Sequence, residues 1–311
     1  MLNVQSMSFL KDSTAHHIAR WNHSNELQGI AWMLASCFWF ATLSTLIRYL
    51  SADIHPFVMV FFRSVFALLL VLPWVLKHGK SAMKTSRFSL HMARSCTGLI
   101  GMLLFFSALS IIPLTQAISL SFTVPLFTTI AAILFLNEKV GWRRWGALVI
   151  GFAGALVIVR PTGHGFNSAS LLVVAATCMW ALSNISIKKL IETEYPQTML
   201  FYMTLLTVPM SLPFALPYWQ MPSLKEIGLL IVLGVASNFS QLCLFRAYSK
   251  TDVSVILPID FSRLIFVAIM GAIFFGETID LQTGIGAMII LTSTVYIARH
   301  EVRLKSTVTS S

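Results

Sequence analysis

Charged residues are scarce in this chain. Asp, Glu, Lys and Arg together make up 11% of its 311 residues, whereas hydrophobic residues make up 56%. A soluble protein of ordinary composition carries about 25% charged residues. So little charge cannot cover a surface that faces water, and the composition therefore excludes a soluble globular protein. The sequence predicts an integral membrane protein whose outer surface faces lipid.

Acidic residues are the scarcer of the two charge signs. The chain has 12 acidic and 22 basic residues, which gives a net charge of +10. The Lys and Arg residues lie mainly in short segments between apolar runs, which is typical of membrane topology and not of nucleic-acid binding. We therefore expect the lipid bilayer as a partner, and no nucleic acid.

Cysteine is rare, and the sequence patterns of metal and nucleotide sites are missing. The four cysteines all lie inside apolar runs and have no disulfide or metal-ligand spacing. The histidines between residues 55 and 300 are scattered, and there is no phosphate-binding loop. We therefore expect no metal, no cofactor and no catalytic residue. An alternative from another class, a polytopic membrane enzyme acting on lipid, would need a cluster of His, Asp or Glu near one interface.

Apolar runs, in contrast, are abundant. A spanning helix needs about 20 mostly apolar residues, and ten segments approach or exceed that length, with short turn-rich gaps between them. The sequence therefore predicts an all-α integral membrane protein of ten transmembrane helices, between a polar tail at residues 1–27 and a second tail at 300–311. The predicted spans are residues 28–49, 56–76, 89–110, 113–136, 145–160, 168–187, 196–217, 224–247, 253–275 and 281–298.

The distribution of Lys and Arg predicts the orientation of these spans. With the N-terminus in the cytoplasm, 16 of the 22 basic residues lie on the cytoplasmic side, three lie on the opposite side and three lie within spans. The reverse orientation breaks the positive-inside rule in nearly every loop. We therefore expect a multi-pass protein of a bacterial inner membrane, with both termini in the cytoplasm.

The two halves of the chain repeat each other, with an offset of 139 to 141 residues. Each half, residues 28–160 and 161–299, holds five predicted spans. Because five is odd, the second half enters the membrane from the opposite side, which gives two inverted five-helix repeats around a central cavity. Among the matches are "HPFVMVFF" at 55–62 with "YPQTMLFY" at 195–202, and "FLNE" at 135–138 with "FFGE" at 274–277.

Taken together, the ten spans, the repeat and the acidic residues that end the fourth and ninth spans, Glu138 and Glu277, resemble the EamA-type transporters of the drug/metabolite transporter superfamily. The resemblance covers residues 28 to 299. It implies a secondary transporter in which spans 1–4 and 6–9 surround the cavity. Members of the family move amino acids, S-adenosylmethionine, riboflavin, opine metallophores or sugars. The two glutamates themselves are interpreted as caps or loop partners at helix ends.

Asp260 and Arg263 stand out in the apolar stretch "VILPIDFSRLIF". They align with Ser121 and Val124 of the first half, so the repeated scaffold does not require their charges. A charge at the centre of a spanning helix costs about 2.5–3.5 kcal/mol on insertion scales, and residues three apart share a helix face. We interpret Arg263 as a substrate ligand that Asp260 orients, with Asp260 as a possible coupling-proton site. The alternative is a purely structural ion pair.

Other polar residues inside the spans are predicted to complete the site. Arg63 lies about two turns into span 2, and the excess of positive charge within the spans favours a substrate with a carboxylate or another anionic group. Arg94, nearer a helix end, is equally expected to reach the lipid headgroups. Interhelical hydrogen bonding and, for the tryptophan, core packing are the alternative interpretations of the remaining candidates. These candidates are Gln116, Trp180, Asn184, Asn238 and Gln241.

We therefore expect a secondary active transporter of a small zwitterionic or anionic metabolite, such as an amino-acid-like or carboxylate-bearing compound, working by alternating access. The same fold leaves open a nucleoside-derived or vitamin substrate, S-adenosylmethionine or riboflavin. Without an ATP site, the driving force is a coupling proton or an exchanged metabolite. A channel is disfavoured because an inverted repeat is typical of alternating access. The protein is expected to be a monomer or a homodimer.

Overall fold

A computed structural model describes residues 4–78, 85–136, 142–159, 167–190, 193–194, 196–250, 259–278 and 280–309. Within these ranges all regular secondary structure is helical. The α-helices are α1 Val4–Leu50, α2 Pro56–His78, α3 Phe88–Leu109, α4 Leu114–Ser121, α5 Val124–Leu136, α6 Trp142–Val159, α7 Ala169–Leu190, α8 Pro196–Ala215, α9 Leu224–Lys250, α10 Ser262–Phe275 and α11 Leu281–Thr309. A 3₁₀ turn, Leu216–Tyr218, extends α8.

Helices long and apolar enough to cross a membrane confirm the prediction of an all-α membrane protein. In the part of the chain that is described, seven qualify, and they correspond to predicted spans 1–4 and 6–8. Spans 5, 9 and 10 correspond to shorter apolar helices, so the total of ten transmembrane helices stays a prediction. The seven are Leu27–Leu50, Pro56–Lys77, Phe88–Leu109, Leu114–Phe135, Ala169–Ile187, Gln197–Tyr218 and Leu224–Ala247, and the shorter three are Trp145–Ile158, Ser262–Phe275 and Leu281–Ser293.

Helix starts follow the proline signals of the repeat. Pro56 and Pro196 open α2 and α8, where a residue without an N–H group costs no hydrogen bond. Helix α1, in contrast, begins at Val4, so it continues through the polar segment that precedes its apolar part.

The packing of the helices repeats between the two halves. α1 packs against α9 and α10, and its equivalent α7 packs against α3 and α5. The repeated tryptophans follow the same rule, because Trp39 stacks on Phe239 of α9 at 5.4 Å and Trp180 lies 4.9 Å from Phe105 of α3, between ring centroids. Each half is therefore completed by helices of the other half.

Equivalent helices of the two halves run antiparallel. His55, just before α2, stacks on Tyr218 just after α8, while Val75 near the end of α2 clusters with Leu200 near the start of α8. In the same way, the backbone carbonyl of Ala147 near the start of α6 accepts a hydrogen bond from Ser293 far along α11. This arrangement is what an inverted relation between the repeats requires.

Predicted span 4 is not one continuous helix. α4 ends at Ser121 and α5 begins at Val124. Pro125 supplies the physical reason, since proline lacks an N–H group and disfavours helical geometry at the residue before it. The Thr123 hydroxyl occupies the break, donating to Leu120 O at 2.8 Å and lying 3.1 Å from Thr177 Oγ1 of α7. The equivalent point of span 9 is Phe261, immediately before α10, and the earlier part of that span, residues 253–258, lies outside the described residues.

Candidate substrate-binding site

The two helix interruptions meet at a pair of phenylalanines. Phe122 and Phe261 are repeat equivalents with an offset of 139 residues. Their rings stack with centroids 3.9 Å apart and an interplanar angle of 14°. In secondary transporters the substrate site lies where discontinuous helices of the two repeats come together. We call this region the helix crossing.

Asp260 and Arg263 flank the helix crossing on the α10 side. Arg263 Nη2 and Asp260 Oδ1 form an ion pair across one helical turn, as the spacing predicted. Their side chains are 14% and 18% exposed. In such surroundings an isolated charge is costly, and the pair compensates both charges at once.

Aromatic rings and a thiol surround this ion pair. The Arg263 guanidinium carbon lies 4.1 Å from the ring centroid of Phe40 and 5.8 Å from that of Phe122, within the range of cation–π attraction. Cys37 Sγ lies 3.7 Å from Asp260 Oδ1. Helices α1, α4 and α10 therefore bring a cation, an anion and flat apolar faces to one place.

Helix α4 adds polar groups beside the helix crossing. The Ser119 hydroxyl is buried and has no hydrogen-bond partner among the described residues. Gln116 donates from Nε2 to Ser170 Oγ of α7 at 3.0 Å. The Gln116 contact is the interhelical hydrogen bond that formed the alternative interpretation of this residue.

Arg63 lies at another interface, between α2 and α9. It is 6% exposed and donates to the Ser237 hydroxyl. Among the described residues no carboxylate forms an ion pair with it. The neighbouring Asn238 donates to Ala67 O at 2.8 Å, so it fastens α9 to α2. Gln241, one turn further along α9, is half-buried.

The two predicted site residues of α7, Trp180 and Asn184, contact helices of the first half. Trp180 packs on α3, where a Cβ at Gly101 would lie 2.5 Å from Trp180 Nε1. Asn184 donates to Thr128 Oγ1 of α5 at 3.3 Å. The contacts of Trp180 with α3 and of Asn184 with α5 are packing and interhelical hydrogen bonding. A role of either residue toward a substrate stays a prediction.

Arg94 does not reach the lipid headgroups, which was one of the two interpretations of this residue. It is 4% exposed, and its Nη1 donates to Met199 O of α8 at 2.9 Å. Its Nη2 lies 3.6 Å from Met203 Sδ. The interpretation as a residue that reaches the lipid headgroups is therefore wrong, because a carbonyl of the second half satisfies the guanidinium inside the bundle.

Sequence reasoning also missed a buried histidine one turn before Arg94. His91 is 0% exposed at its side chain, and its Nε2 lies 3.9 Å from Glu194 Oε1. The Thr85 hydroxyl donates to the same Glu194 oxygen at 2.5 Å, and the ring of Tyr202 lies 4.6 Å from the imidazole. We call this end of the bundle the His91 end. Sequence could not reveal it, because His91 and Glu194 lie 103 residues apart.

At the opposite end, Glu277 has the capping role that was expected of it. Its Oε1 lies 3.3 Å from Arg48 Nε, and its Oε2 accepts from the Leu114 N–H group at 2.9 Å, at the start of α4. Arg48 Nη1 also donates to the carbonyls of Ile112 and Leu109. We call this the Arg48 end. Glu138, the repeat equivalent of Glu277, lies outside the described residues.

A glycine positions Glu277. Gly276 ends α10 with a φ of 64°, a left-handed conformation that side chains other than glycine and asparagine rarely adopt. The chain turns back there, and the Glu277 N–H group donates to Gly271 O at 3.1 Å. This turn directs the carboxylate towards α1 and α4.

Comparison with known proteins places the chain in a family. A sequence model of the EamA-like transporter family matches it twice, over residues 27–160 and 167–299. The S-adenosylmethionine uptake transporter of Rickettsia prowazekii (strain Madrid E) is 37% identical over 275 residues, which cover 88% of this chain and 94% of that protein. The riboflavin transporter of Vibrio cholerae serotype O1 is 35% identical over 282 residues, covering 89% and 95% of the two chains.

A solved structure has the same fold. It is described as "Crystal structure of protein", is 17% identical, and superposes with a TM-score of 0.59 over 89% of this chain and 98% of that chain. At this identity the likeness shows the fold alone. Together with the apolar helices, the two family matches establish that this chain belongs to the EamA-like transporter family and is a multi-pass membrane transporter of small molecules, not an enzyme.

Proposed function

We propose that the chain is a ten-span secondary active transporter of a bacterial inner membrane, with both termini in the cytoplasm. Spans 5, 9 and 10 are the shorter apolar helices α6, α10 and α11. The two repeats are inverted and rock about a central cavity at the helix crossing. The antiparallel pairing of α2 with α8 supports this arrangement.

The substrate carries an α-amino-acid group attached to a flat ring, and S-adenosylmethionine is the first candidate. The observation that carries this proposal is the Asp260–Arg263 ion pair beside the stacked rings of Phe122 and Phe261. A guanidinium binds a carboxylate through two parallel hydrogen bonds. A carboxylate of the protein attracts an ammonium or sulfonium group. Phe40 and Phe122 offer faces to an adenine ring. The relative from Rickettsia prowazekii is named for S-adenosylmethionine uptake.

A zwitterionic substrate also offsets the free energy that is needed to separate Asp260 from Arg263. Separating Asp260 from Arg263 leaves two uncompensated charges in a poorly hydrated site, which costs several kcal/mol. A substrate that brings one charge of each sign replaces the lost partner of both residues. An anion alone leaves Asp260 without compensation. Arg63, which has no carboxylate partner among the described residues, is proposed as a second point for an anionic group.

Riboflavin is the second candidate. The stacked pair of Phe122 and Phe261, with ring centroids 3.9 Å apart, is suited to the flat isoalloxazine ring. A relative from Vibrio cholerae is named for riboflavin. Riboflavin has no charge, however, so it leaves the ion pair without a role in recognition.

Transport is driven by a gradient or by exchange against a second metabolite, with a proton as the candidate coupling ion. The remaining polar walls of the cavity are proposed to come from five residues, in addition to their contacts between helices. These residues are Gln116, Trp180, Asn184, Asn238 and Gln241. The working unit is a monomer or a homodimer.

Counterflow in proteoliposomes tests the proposal. Vesicles containing the purified protein are loaded with unlabelled S-adenosylmethionine, riboflavin, methionine or buffer, and the entry of external labelled S-adenosylmethionine is followed. We expect internal S-adenosylmethionine to accelerate entry and methionine to do so less, because it lacks the ring. Acceleration by riboflavin alone, with labelled riboflavin as the tracer, would assign the second candidate. Absence of saturable entry with every tracer would contradict the proposal.

A further inference from the structure

His91 occupies the best-buried titratable site in the described chain outside the helix crossing. Its side chain is 0% exposed, and neither ring nitrogen has a hydrogen-bond partner among the described residues. A neutral imidazole always carries one N–H group, and leaving such a donor unsatisfied in the interior costs about 1–3 kcal/mol. A residue kept at this cost has a reason beyond packing.

A carboxylate lies just beyond hydrogen-bonding distance of this imidazole. Glu194 Oε1 is 3.9 Å from His91 Nε2, and the Glu194 side chain is 7% exposed. The Thr85 hydroxyl holds that oxygen at 2.5 Å. At this distance the imidazole and the carboxylate make no hydrogen bond, so the closed arrangement lacks the charge-assisted pair that would offset the burial of an imidazolium.

The other groups that face His91 decide the sign of the effect. Arg94 and the helix-capping Arg87 are cations on α3, Tyr202 approaches from α8, and the Lys189 side chain of α7 points out to solvent. α2 contributes Leu68, Val71, Trp74 and Val75 to the neighbouring hydrophobic cluster. Burial and the nearby Arg94 guanidinium oppose an imidazolium, and Glu194 favours it. The closed arrangement therefore holds His91 neutral, and hydration is required before it gains charge.

The contact joins the two repeats. Thr85, Arg87 and His91 belong to the first half, whereas Lys189 and Glu194 belong to the second half. Arg87 Nη1 additionally donates to Lys189 O at 2.8 Å. A change of charge at His91 therefore acts directly on the surfaces that have to separate when this end of the bundle opens.

We propose that His91, with Glu194, is a proton-binding site whose occupation opens the His91 end. Protonation places a second cation beside Arg94 in a buried pocket, and the repulsion is relieved when α3 moves away from Glu194 and water enters. Loss of the proton lets the pocket close again. The inference rests on the alternating access of the proposed function, and it assigns the titrating group to a place other than the substrate's ion pair.

Hydrogen exchange of the purified full chain in detergent tests the site without any substrate. Exchange of the backbone amides at the start of α3 is measured at about pH 5.5 and about pH 7.5 in the wild type and in His91→Gln. Glutamine keeps a polar group near Glu194 but does not titrate. The ratio of the two proteins cancels the intrinsic pH dependence of exchange.

We expect the wild type to exchange faster than His91→Gln at the lower pH, by up to about tenfold per pH unit below the titration point, and equally fast at the higher pH. Glu194→Gln removes the one charge that favours an imidazolium in the closed arrangement, so its exchange is expected to rise from the higher to the lower pH at least as much as that of the wild type. His55→Gln, at the Arg48 end, is the matched control and keeps the wild-type ratio. A ratio that does not depend on pH overturns the proposal, as does a smaller pH-dependent rise in exchange for Glu194→Gln than for the wild type.

A transport assay separates this inference from the proposed function. If vesicles show saturable uptake, His91→Gln flattens the dependence of uptake on pH, and an unchanged profile overturns the coupling of His91 to transport. If no candidate substrate is transported, the proposed function fails, whereas the exchange experiment still decides whether His91 is the site that opens this end.

Discussion

The two ends of the bundle join the two repeats through different pairs of side chains. At each end a basic residue of the first repeat faces a glutamate of the second repeat: Arg48 with Glu277, and His91 with Glu194. Arg48 cannot lose its proton in a protein, and backbone groups at both sides reinforce its ion pair. His91 forms no hydrogen bond with Glu194 in this conformation. The Arg48 end is therefore held by an ion pair and backbone hydrogen bonds, while the His91 end is proposed to open when His91 gains a proton.

The difference indicates which end responds to which signal. The Arg48 end is held by an ion pair and by backbone hydrogen bonds, so it separates only when another interaction, such as substrate binding at the helix crossing, offsets their loss. The His91 end lacks such a fastening. A transporter with unlike ends responds to substrate at one end and to pH at the other.

The largest effect is expected from breaking the Arg48 end. Glu277→Ala leaves Arg48 without its partner and the Leu114 N–H group without its acceptor. We expect a loss of about 3 kcal/mol in the free energy of unfolding, since Arg48, whose side chain is only 22% exposed, then keeps its charge without a carboxylate partner. Thermal and denaturant unfolding in detergent measure this loss.

Two further variants sharpen the measurement. Glu277→Gln keeps an acceptor for the Leu114 N–H group and is expected to lose less. Glu226→Ala removes a partly exposed glutamate that accepts from the Ser223 N–H group at the start of α9 but has no ion pair among the described residues, so it serves as the control for a helix cap without an ion pair. Equal stability of Glu277→Ala and Glu226→Ala would show that the Arg48 end is not fastened.

A medium effect is expected from separating the helices that carry the His91 end. A Cβ at Gly101 of α3 would lie 2.5 Å from Trp180 Nε1 and 3.2 Å from Ala176 O of α7. Overpacking of this kind costs about 1–3 kcal/mol, so Gly101→Ala is expected to lower stability by that amount.

Gly284→Ala is the matched control for this variant, because a Cβ there meets no heavy atom within 4 Å. Replacing glycine by alanine in an open helix position stabilises by about 0.5–1 kcal/mol. If Gly101→Ala were as stable as Gly284→Ala, α3 and α7 would not be held at the distance that positions His91.

The smallest effect is expected from replacing His55, a histidine that lies at the Arg48 end. Burial lowers the pKa of His55 below its usual value, and its ring stacks on Tyr218 with centroids 3.7 Å apart. A lowered folded-state pKa means that the stability which neutral His55 contributes is complete above the unfolded-state pKa of about 6.5. That stability is lost as the pH falls from there through the folded-state pKa.

His55→Phe keeps a ring on Tyr218 but cannot take up a proton. The variant is expected to match the wild type in melting temperature at about pH 8 and to melt slightly higher at about pH 5. A wild type that is relatively more stable than His55→Phe at the lower pH would reverse the assigned sign.

Much of the fold could be predicted from the sequence, because apolar length and proline placement act locally. Pro56 and Pro196 mark the observed starts of α2 and α8. The pairing of Asp260 with Arg263 was also predictable, since a spacing of three residues fixes a common helix face. The Glu277 cap followed from its place at the end of an apolar run.

The remaining features depend on contacts between distant segments. For Arg94 the sequence left a place inside the bundle and a place at the lipid headgroups equally open, because its partner Met199 lies 105 residues away in the sequence. His91 looked like one scattered histidine until the α7–α8 connection brought Glu194 beside it. The break at Phe122 was visible in part, because Pro125 follows it, yet its stacking on Phe261 arises only when the two repeats cross.

Recognition of the proposed substrate depends most on Arg263, the group proposed to bind its carboxylate. Equilibrium binding of labelled S-adenosylmethionine to purified Arg263→Ala tests it directly, with Arg246→Ala as the control. Arg246 is an exposed arginine of α9 that lies over Trp32 at 4.5 Å. We predict that Arg263→Ala weakens binding by about tenfold or more, because a hydrogen bond to a charged group contributes about 1.5–3 kcal/mol, and that Arg246→Ala binds like the wild type. Binding by Arg263→Ala as tight as by the wild type would contradict the assignment of the site.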